Sequence, residues 1–403
     1  MKLNKSGHVF LVSAIALILA SAFTACNPLT IDYIFVAGNK NSPGQIQTFL
    51  SDRVSGALSV VNSTVSSGGV KPVSLATSTD FKHLYVANQG DSTLVEFSVS
   101  GSGVLAPLTT TTLSSEGNTP VAIAMNAAGT LLYVVSSYQP GCTKAISGAN
   151  TCNGGALAIF PVGTDGAIGT PVANGGLSYV PVGINPTAVN PLPGGTAVYV
   201  TTYDPAAGLG HIYGFATSNS GAPSVIAGSP FNAGVKPVSI ASTPTSRFVY
   251  VTDFSQNQLI AYSVQDGTVL NPLINGPFKT GNQPSSITVD PRGIYIYLTN
   301  ELDNSVSAYS IALPTGTPSA AVSTSGSSIN STGTAPLAIL VDPGYGRFVY
   351  TANFLDDSIT GFLLNADTGT LTLTQSGPYP TVGQPTALAA IPHGNHSVEV
   401  VQP

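Results

Sequence analysis

The chain has 403 residues, of which 43% are hydrophobic and only 7% are Asp, Glu, Lys or Arg, against about 25% charged residues in an average soluble domain. Such sparse charge excludes coiled coils and long solvent-exposed helices, while 12 basic residues and a net charge of −6 argue against nucleic acid, whose phosphates need clustered Lys and Arg. With 43 glycines and 30 prolines, the composition points to a turn-rich, uncharged, all-β chain able to bury a core.

Residues 1–25 read as a secretory signal of the lipoprotein type. Lys2 and Lys5 form a basic start, Val9 to Ala22 an apolar run, and Ala25 a small residue ahead of Cys26. The run is too short for a membrane span, which takes about 20 apolar residues. Phe23-Thr24-Ala25-Cys26 resembles a bacterial lipobox, with Phe where Leu is usual, so Cys26 is the expected lipidation site. Cleavage after Ala20-Ser21-Ala22 is the alternative and would leave a soluble secreted or periplasmic protein. Removal of residues 1–25 leaves ten basic against 18 acidic residues, a net charge of −8. Residues 26–31 would be a short tether, and 32–403 a single domain.

The body of the chain is one unit repeated. A hydrophobic-Tyr-Val segment recurs around Phe35, Tyr85, Tyr133, Tyr199, Tyr250, Tyr297 and Tyr350, at intervals of 50, 48, 66, 51, 47 and 53. Thirteen or 14 residues before each aromatic position after the first stands a marker proline: Pro72, Pro120, Pro186, Pro237, Pro284 and Pro336, with Pro385 beginning a further unit. A third apolar segment follows each tyrosine, as in Leu94 to Val99 and Leu259 to Val264, and a weaker Thr- and Ser-rich segment closes the unit. β-Branched and aromatic residues favour strands, and Asp290-Pro291-Arg292-Gly293 and Asp342-Pro343-Gly344 carry turn chemistry between the first two. A proline is tolerated where a strand begins. Four short strands per unit of about 50 residues predict a β-propeller.

Seven marker prolines give seven blades. Residues 397–401 can be read as one surplus second strand, which leaves an eighth, degenerate blade as the alternative. On the seven-bladed reading the strand after Pro385 completes a sheet begun by residues 33–64, closing the ring circularly. The interval of 66 places an insertion mainly at 136–156. That loop holds Cys142 and Cys152, expected to form a disulfide in an oxidising compartment and to leave Cys26 single for a lipid. A stapled loop on the rim is a candidate contact surface.

Common catalytic and cofactor signatures are absent: no G-x-S-x-G elbow, no H-E-x-x-H, no phosphate-binding loop and no EF-hand loop. No cofactor and no metal are expected. His393-Gly394-Asn395-His396 reads as a solvated turn, and His83 and His211 as isolated structural or surface residues. The residues before the marker prolines should line the channel mouth, since the innermost strands start there; they include Lys71, Lys236, Gln283 and Gln384. The ends of the second strands add Asn88, Asp253, Asn300, Glu301 and Asn353. Such a ring suits an anionic or sugar-like ligand. Asn and Asp at strand ends equally suit turn capping, so Lys71 and Lys236 are the sharper candidates.

The YVAN, YVTD, YLTN and YTAN segments over residues 32–401 resemble the YVTN-type repeats of the lactonase-like seven-bladed propellers, which include propeller-type 6-phosphogluconolactonases. That resemblance implies a site at the channel mouth built from inward-pointing Arg, His and Glu. Here Arg247, Arg292 and Arg347 stand in first-to-second-strand hairpins, so no catalytic residue is carried over. Two readings follow. The first is an exported, lipid-anchored cell-envelope binding or interaction module with a protein or glycan partner, held at the membrane by Cys26. The alternative is a lactonase-like hydrolase acting on a lactone or sugar acid.

Overall fold

The computed structural model describes residues 30–61, 64–114, 117–140, 142, 154–217, 223–320 and 329–394. These residues form strands, turns and connecting segments without a helix, arranged as seven antiparallel sheets. Counted from Pro72, blades 1 to 6 span 72–112, 118–182, 186–232, 237–279, 284–331 and 336–380. Blade 7 joins the strand Pro385–Pro392 to Thr30–Gly38, with Asp32 opposite Pro392 and Val36 opposite Leu388. The ring therefore closes inside a sheet, as the marker prolines predict. The surplus segment 397–401 lies outside the described residues.

Within each blade the first strand is innermost, and the first strands of neighbouring blades lie side by side around the channel. In all seven blades a register shift follows the marker proline, as between Pro72 and Ser74, Pro237 and Ser239, and Pro284 and Ser286. In blade 7 it lies between Pro385 and Ala387. Such a bulge bends the strand entry and re-aims the residues beside it.

The core is seven layers, one between each pair of adjacent blades. Second strands such as His83–Asn88, Phe248–Asp253 and Phe348–Asn353 are buried along their whole length, because they are covered on both faces. The repeated tyrosine links layers. Tyr85, Tyr250, Tyr297 and Tyr350 donate their hydroxyls to the carbonyls of Gly166, Gly316, Gly369 and Gly56, each in the third-to-fourth-strand turn of the next blade. Tyr199 reaches Thr268 in the same way, and Tyr33 reaches Gly101. Burial raises these phenols above their ordinary range, so they remain protonated donors. An aromatic two residues earlier packs on the same glycine. A Cβ on Gly316 (φ +76°) would stand 2.2 Å from the Phe248 ring, and one on Gly56 (φ +66°) 2.3 Å from Phe348.

In blades 1, 2, 4, 5 and 6 the hairpin between first and second strands opens on a polar residue that caps the turn, whereas blade 3 has the buried Leu192 there. Asn126, Asp290 and Asp342 accept backbone N–H groups of Thr130 and Leu131, Ile294 and Tyr295, and Arg347 and Phe348. The chemistry read at Asp290 and Asp342 is thus this cap. The long interval in blade 2 has two sources. Its second strand ends at Tyr138 and its third starts at Gly155, while residues 162–179 add a further excursion before the fourth strand at Val180. Most of the loop at 136–156, including Cys152, lies outside the described residues; Cys142 is buried.

Candidate active site at the channel mouth

The mouth in question is the face where first strands begin and second strands end. Its geometry rests on the residues flanking the marker prolines. Lys71, Thr119, Asn185, Gln283, Ala335 and Gln384 all adopt left-handed φ values, between +45° and +62°. Five of their carbonyls bind a residue at or just beyond the end of the second strand: Lys71 accepts from Gln89, Asn185 from Tyr203, Gln283 from Glu301, Ala335 from Phe354 and Gln384 from Asn39. Several of their N–H groups are held by the preceding blade. Gln283 donates to Asn257 (2.8 Å), Ala335 to Asn304 (2.9 Å), Gln384 to Asp357 (2.7 Å) and Thr119 to Ser92 (3.0 Å).

Lys236 departs from this scheme. Blade 3 turns from its second to its third strand through Asp204-Pro205-Ala206-Ala207-Gly208, and Gly208, at φ +65°, has no side chain to offer the next blade. Asp253 of Lys236's own blade takes over, accepting N–H groups from Val235 (2.9 Å) and Lys236 (3.0 Å). Lys236 lacks the left-handed φ of its counterparts. Its ammonium lies 4.2 Å from the centre of the Phe254 ring and 5.7 Å from that of Tyr203. Both are cation–π distances. Among the described residues no carboxylate stands within 4.0 Å of it.

Glu301, the first residue beyond the second strand of blade 5, completes the cluster. It is half-buried. Burial pushes its carboxyl above the ordinary range and the Lys236 ammonium draws it part of the way back. A carboxyl and an ammonium from adjacent blades are therefore near enough to interact electrostatically without closing into an ion pair, and the rings of Tyr203 and Phe254 lie beside the ammonium.

The other sequence candidates separate cleanly. Lys71 is exposed, and Gln283 and Gln384 are half-buried at the mouth. Asn88, Asp253, Asn300 and Asn353 are fully buried and do not line it. Asn88 donates to Ser67 and Thr93, Asn300 to Ser305 and Ser307, and Asn353 to Ser358 and Thr360. Asp253 additionally accepts from Ser255, Gln256 and Gln258. These four hold the turn after the second strand. Glu301 follows Asn300 by one residue, and in a strand one residue changes the face. Phe254 and Phe354 occupy the position equivalent to Glu301 in their blades, with Tyr203 matching them in blade 3. Sequence reading missed these aromatics because, outside blade 5, it stopped at the last residue of the repeat motif.

On the opposite face, Arg247 and Arg292 reach the backbone of the next blade at Pro314 and Ala366, and Arg292 also pairs with Asp290 at 2.8 Å. His83 is buried rather than isolated, its Nδ1 3.1 Å from Glu96 Oε1. It occupies the place of Phe248 or Phe348 and packs on Gly166 of the next blade. His393 stacks edge-on against Tyr33, and His396 lies outside the described residues. Among the described residues no group of three or more His, Cys, Asp or Glu could hold a metal ion.

Comparison with known proteins agrees with this architecture. Among solved structures, the periplasmic gluconolactonase PpgL of Pseudomonas aeruginosa superposes with a TM-score of 0.70 at 18% identity, covering 90% of this chain and 99% of that one. A candidate 6-phosphogluconolactonase from Bacteroides fragilis gives 0.69 at 19% identity, covering 91% and 99%. No curated protein matches the chain in sequence. The family model described as lactonase, 7-bladed beta-propeller, matches residues 18–121 and 182–398, leaving out the stretch that carries the blade 2 insertions. With more than half of its length matched, the chain belongs to the lactonase seven-bladed β-propeller family.

Proposed function

We propose that the protein hydrolyses a lactone at the channel mouth, with Glu301 as general base and Lys236 as the electrophilic group. The observation that carries this reading is the open Lys236–Glu301 pair. The ammonium would polarise the lactone carbonyl and stabilise the oxyanion, in a site where the two rings limit its solvation. Glu301 would take a proton from the attacking water. The tetrahedral intermediate then expels the ring oxygen, breaking the C–O bond, and that oxygen takes up a proton to leave the open hydroxy acid. Burial lifts Glu301 toward the pH at which a carboxylate base is most effective. Family membership and the gluconolactonase title of a structural neighbour support the substrate class, and the paired acid and base displace a purely binding role as the preferred reading.

The test is turnover by the purified protein on aldonolactones, with 6-phosphogluconolactone included, followed by acid release. Glu301→Gln should lower kcat by about 10²-fold or more. The rate should fall as pH drops through the Glu301 pKa, with a midpoint above the ordinary 4.5, because only the carboxylate accepts a proton. Background rates on every lactone would return the protein to the binding reading.

We also propose that the propeller works outside the cytoplasm, lipid-anchored through Cys26 and stapled by a Cys142–Cys152 disulfide. The signal-like start and the odd cysteine count support this. Metabolic labelling with a palmitate analogue should mark the wild type and spare Cys26→Ser; label retained by that variant would refute the anchor.

A further inference from the structure

A second hollow opens beside the proposed catalytic pair. Phe254, Ser255, Asn257, Asn282, Gln283 and Leu302 line a cavity of about 300 Å³ between blades 4 and 5. It shares Phe254 with the Lys236 cluster, and Leu302 directly follows Glu301. Its lining carries no formal charge. One aromatic ring and one exposed aliphatic side chain, Leu302 at 63% exposure, stand among three carboxamides and a hydroxyl. Asn257 and Asn282 are fixed by the fold: Asn257 accepts from Gln283 N–H and donates to Asn282, which donates to Asp303 at 2.8 Å. The Gln283 carboxamide has no partner among the described residues, although its backbone is pinned at both N–H and C=O.

This chemistry selects among ligands. A phosphate would meet no cation in the cavity, and an acyl tail would strip water from amides without replacing its hydrogen bonds. A neutral sugar ring satisfies both sides, laying its C–H face on an aromatic or aliphatic surface and its hydroxyls on amides. The volume is at the small end of ligand sites, about 300–1,000 Å³, and suits one ring.

We propose that this cavity is a subsite for a neutral sugar unit attached to the lactone, so that the substrate is a glycosylated aldonolactone. The proposal rests on the lactonase reading for its chemistry and on the cavity for its specificity. Phe254 would serve both, holding Lys236 on one side and the added sugar on the other. Gln283 would be the specificity-determining hydrogen-bonding group.

The experiment compares kcat/KM for glucono-δ-lactone, cellobionolactone and maltobionolactone, and measures calorimetric binding of the corresponding acids, in the wild type, Gln283→Ala and Leu302→Asp. Gln283→Ala should fold, since alanine stands at the equivalent position as Ala335 with the same left-handed φ of about +53°. The wild type should prefer at least one disaccharide lactone about tenfold. Both variants should reduce that preference about fivefold or more, through KM, as expected for a lost hydrogen bond or an introduced charge. Equal treatment of all three lactones, or an unmoved preference in both variants, overturns the subsite while leaving the lactonase reading intact. If no lactone turns over, the lactonase reading fails, and calorimetry alone decides: a disaccharide acid bound by the wild type and weakened in the variants sustains the sugar site, and no binding removes it.

Discussion

Asp32 and Asp342 place two carboxyls in one buried spot where blade 7 meets blade 6. Asp342 accepts backbone N–H groups from Tyr345, Gly346, Arg347 and Phe348, whereas Asp32 accepts only from Gly344 and leaves Oδ2 without a partner among the described residues. Desolvation raises both, and the Asp342 charge pushes Asp32 further, well above the usual carboxylate range. Asp32 is therefore the member that keeps its proton. Because its folded pKa exceeds the unfolded value of about 3.9, its contribution to stability is complete below that pH and is lost as pH rises through the folded pKa. Asp32→Asn, which keeps an acceptor for Gly344 and gains a donor toward Asp342, should be more stable than the wild type at pH 7 and no better near pH 4. Urea denaturation at the two pH values checks this; a gain of equal size at both would contradict the shared-proton account. Nothing local in the sequence announces this pair, since 310 residues separate its members and only ring closure brings them together. The His83–Glu96 contact was hidden for a related reason: it needs the register that sets His83 opposite Ser98 and Tyr85 opposite Glu96.

At the level of strands and turns, the repeat was legible because one physical solution recurs. A proline opens the inner strand, a tyrosine reaches the next blade, and a polar residue caps most turns. Legibility ended where a blade departs from that solution. Lys71 and Lys236 look alike in sequence, yet Lys71 is exposed with a left-handed backbone, while Lys236 lies between two rings. The difference originates one blade earlier, in a turn ending on Gly208 that cannot hold the Lys236 N–H. Asp253 compensates with five acceptor contacts. Asp253→Ala should accordingly cost about 2–4 kcal/mol, leaving several buried N–H groups unsatisfied, and should lower lactone turnover by displacing Lys236. Asn300→Ala, which removes the comparable cap in blade 5, provides the contrast for denaturation. If Asp253→Ala unfolds no more readily than wild type and retains full turnover, Asp253 is not the support described here.

For the molecule as a whole, the count of seven and the circular closure followed from spacing alone, whereas the channel-mouth chemistry did not. Spacing reports what every blade shares; a site is made from what the blades do not share. Among the described residues the composite blade depends on the strand Pro385–Pro392, which pairs with Thr30–Gly38 and stands beside the inner strands of blades 1 and 6. Deleting residues 385–403 should leave Thr30–Gly38 as an open edge, a template for pairing with other chains. Size-exclusion chromatography should then show oligomers or aggregates, and a monodisperse, fully active monomer would argue against this form of closure.

The tyrosine contacts that join the blades have a direction: Tyr33 of blade 7 and the tyrosines of blades 1, 3, 4 and 5 donate to residues made later on the ribosome, whereas Tyr350 of blade 6 donates back to Gly56, made near the start. Partial chains can therefore stack in order of synthesis, each new blade engaging the phenol already waiting for it. The strand Pro385–Pro392 is the exception, because it must slide between finished neighbours and pair with residues made at the opposite end of the chain. Completion of the fold is thus tied to the arrival of the final described strand. A chain emerging slowly from the ribosome would hold six stacked blades and one unfilled slot until that moment, a stage at which the open blade is accessible to a chaperone or a protease.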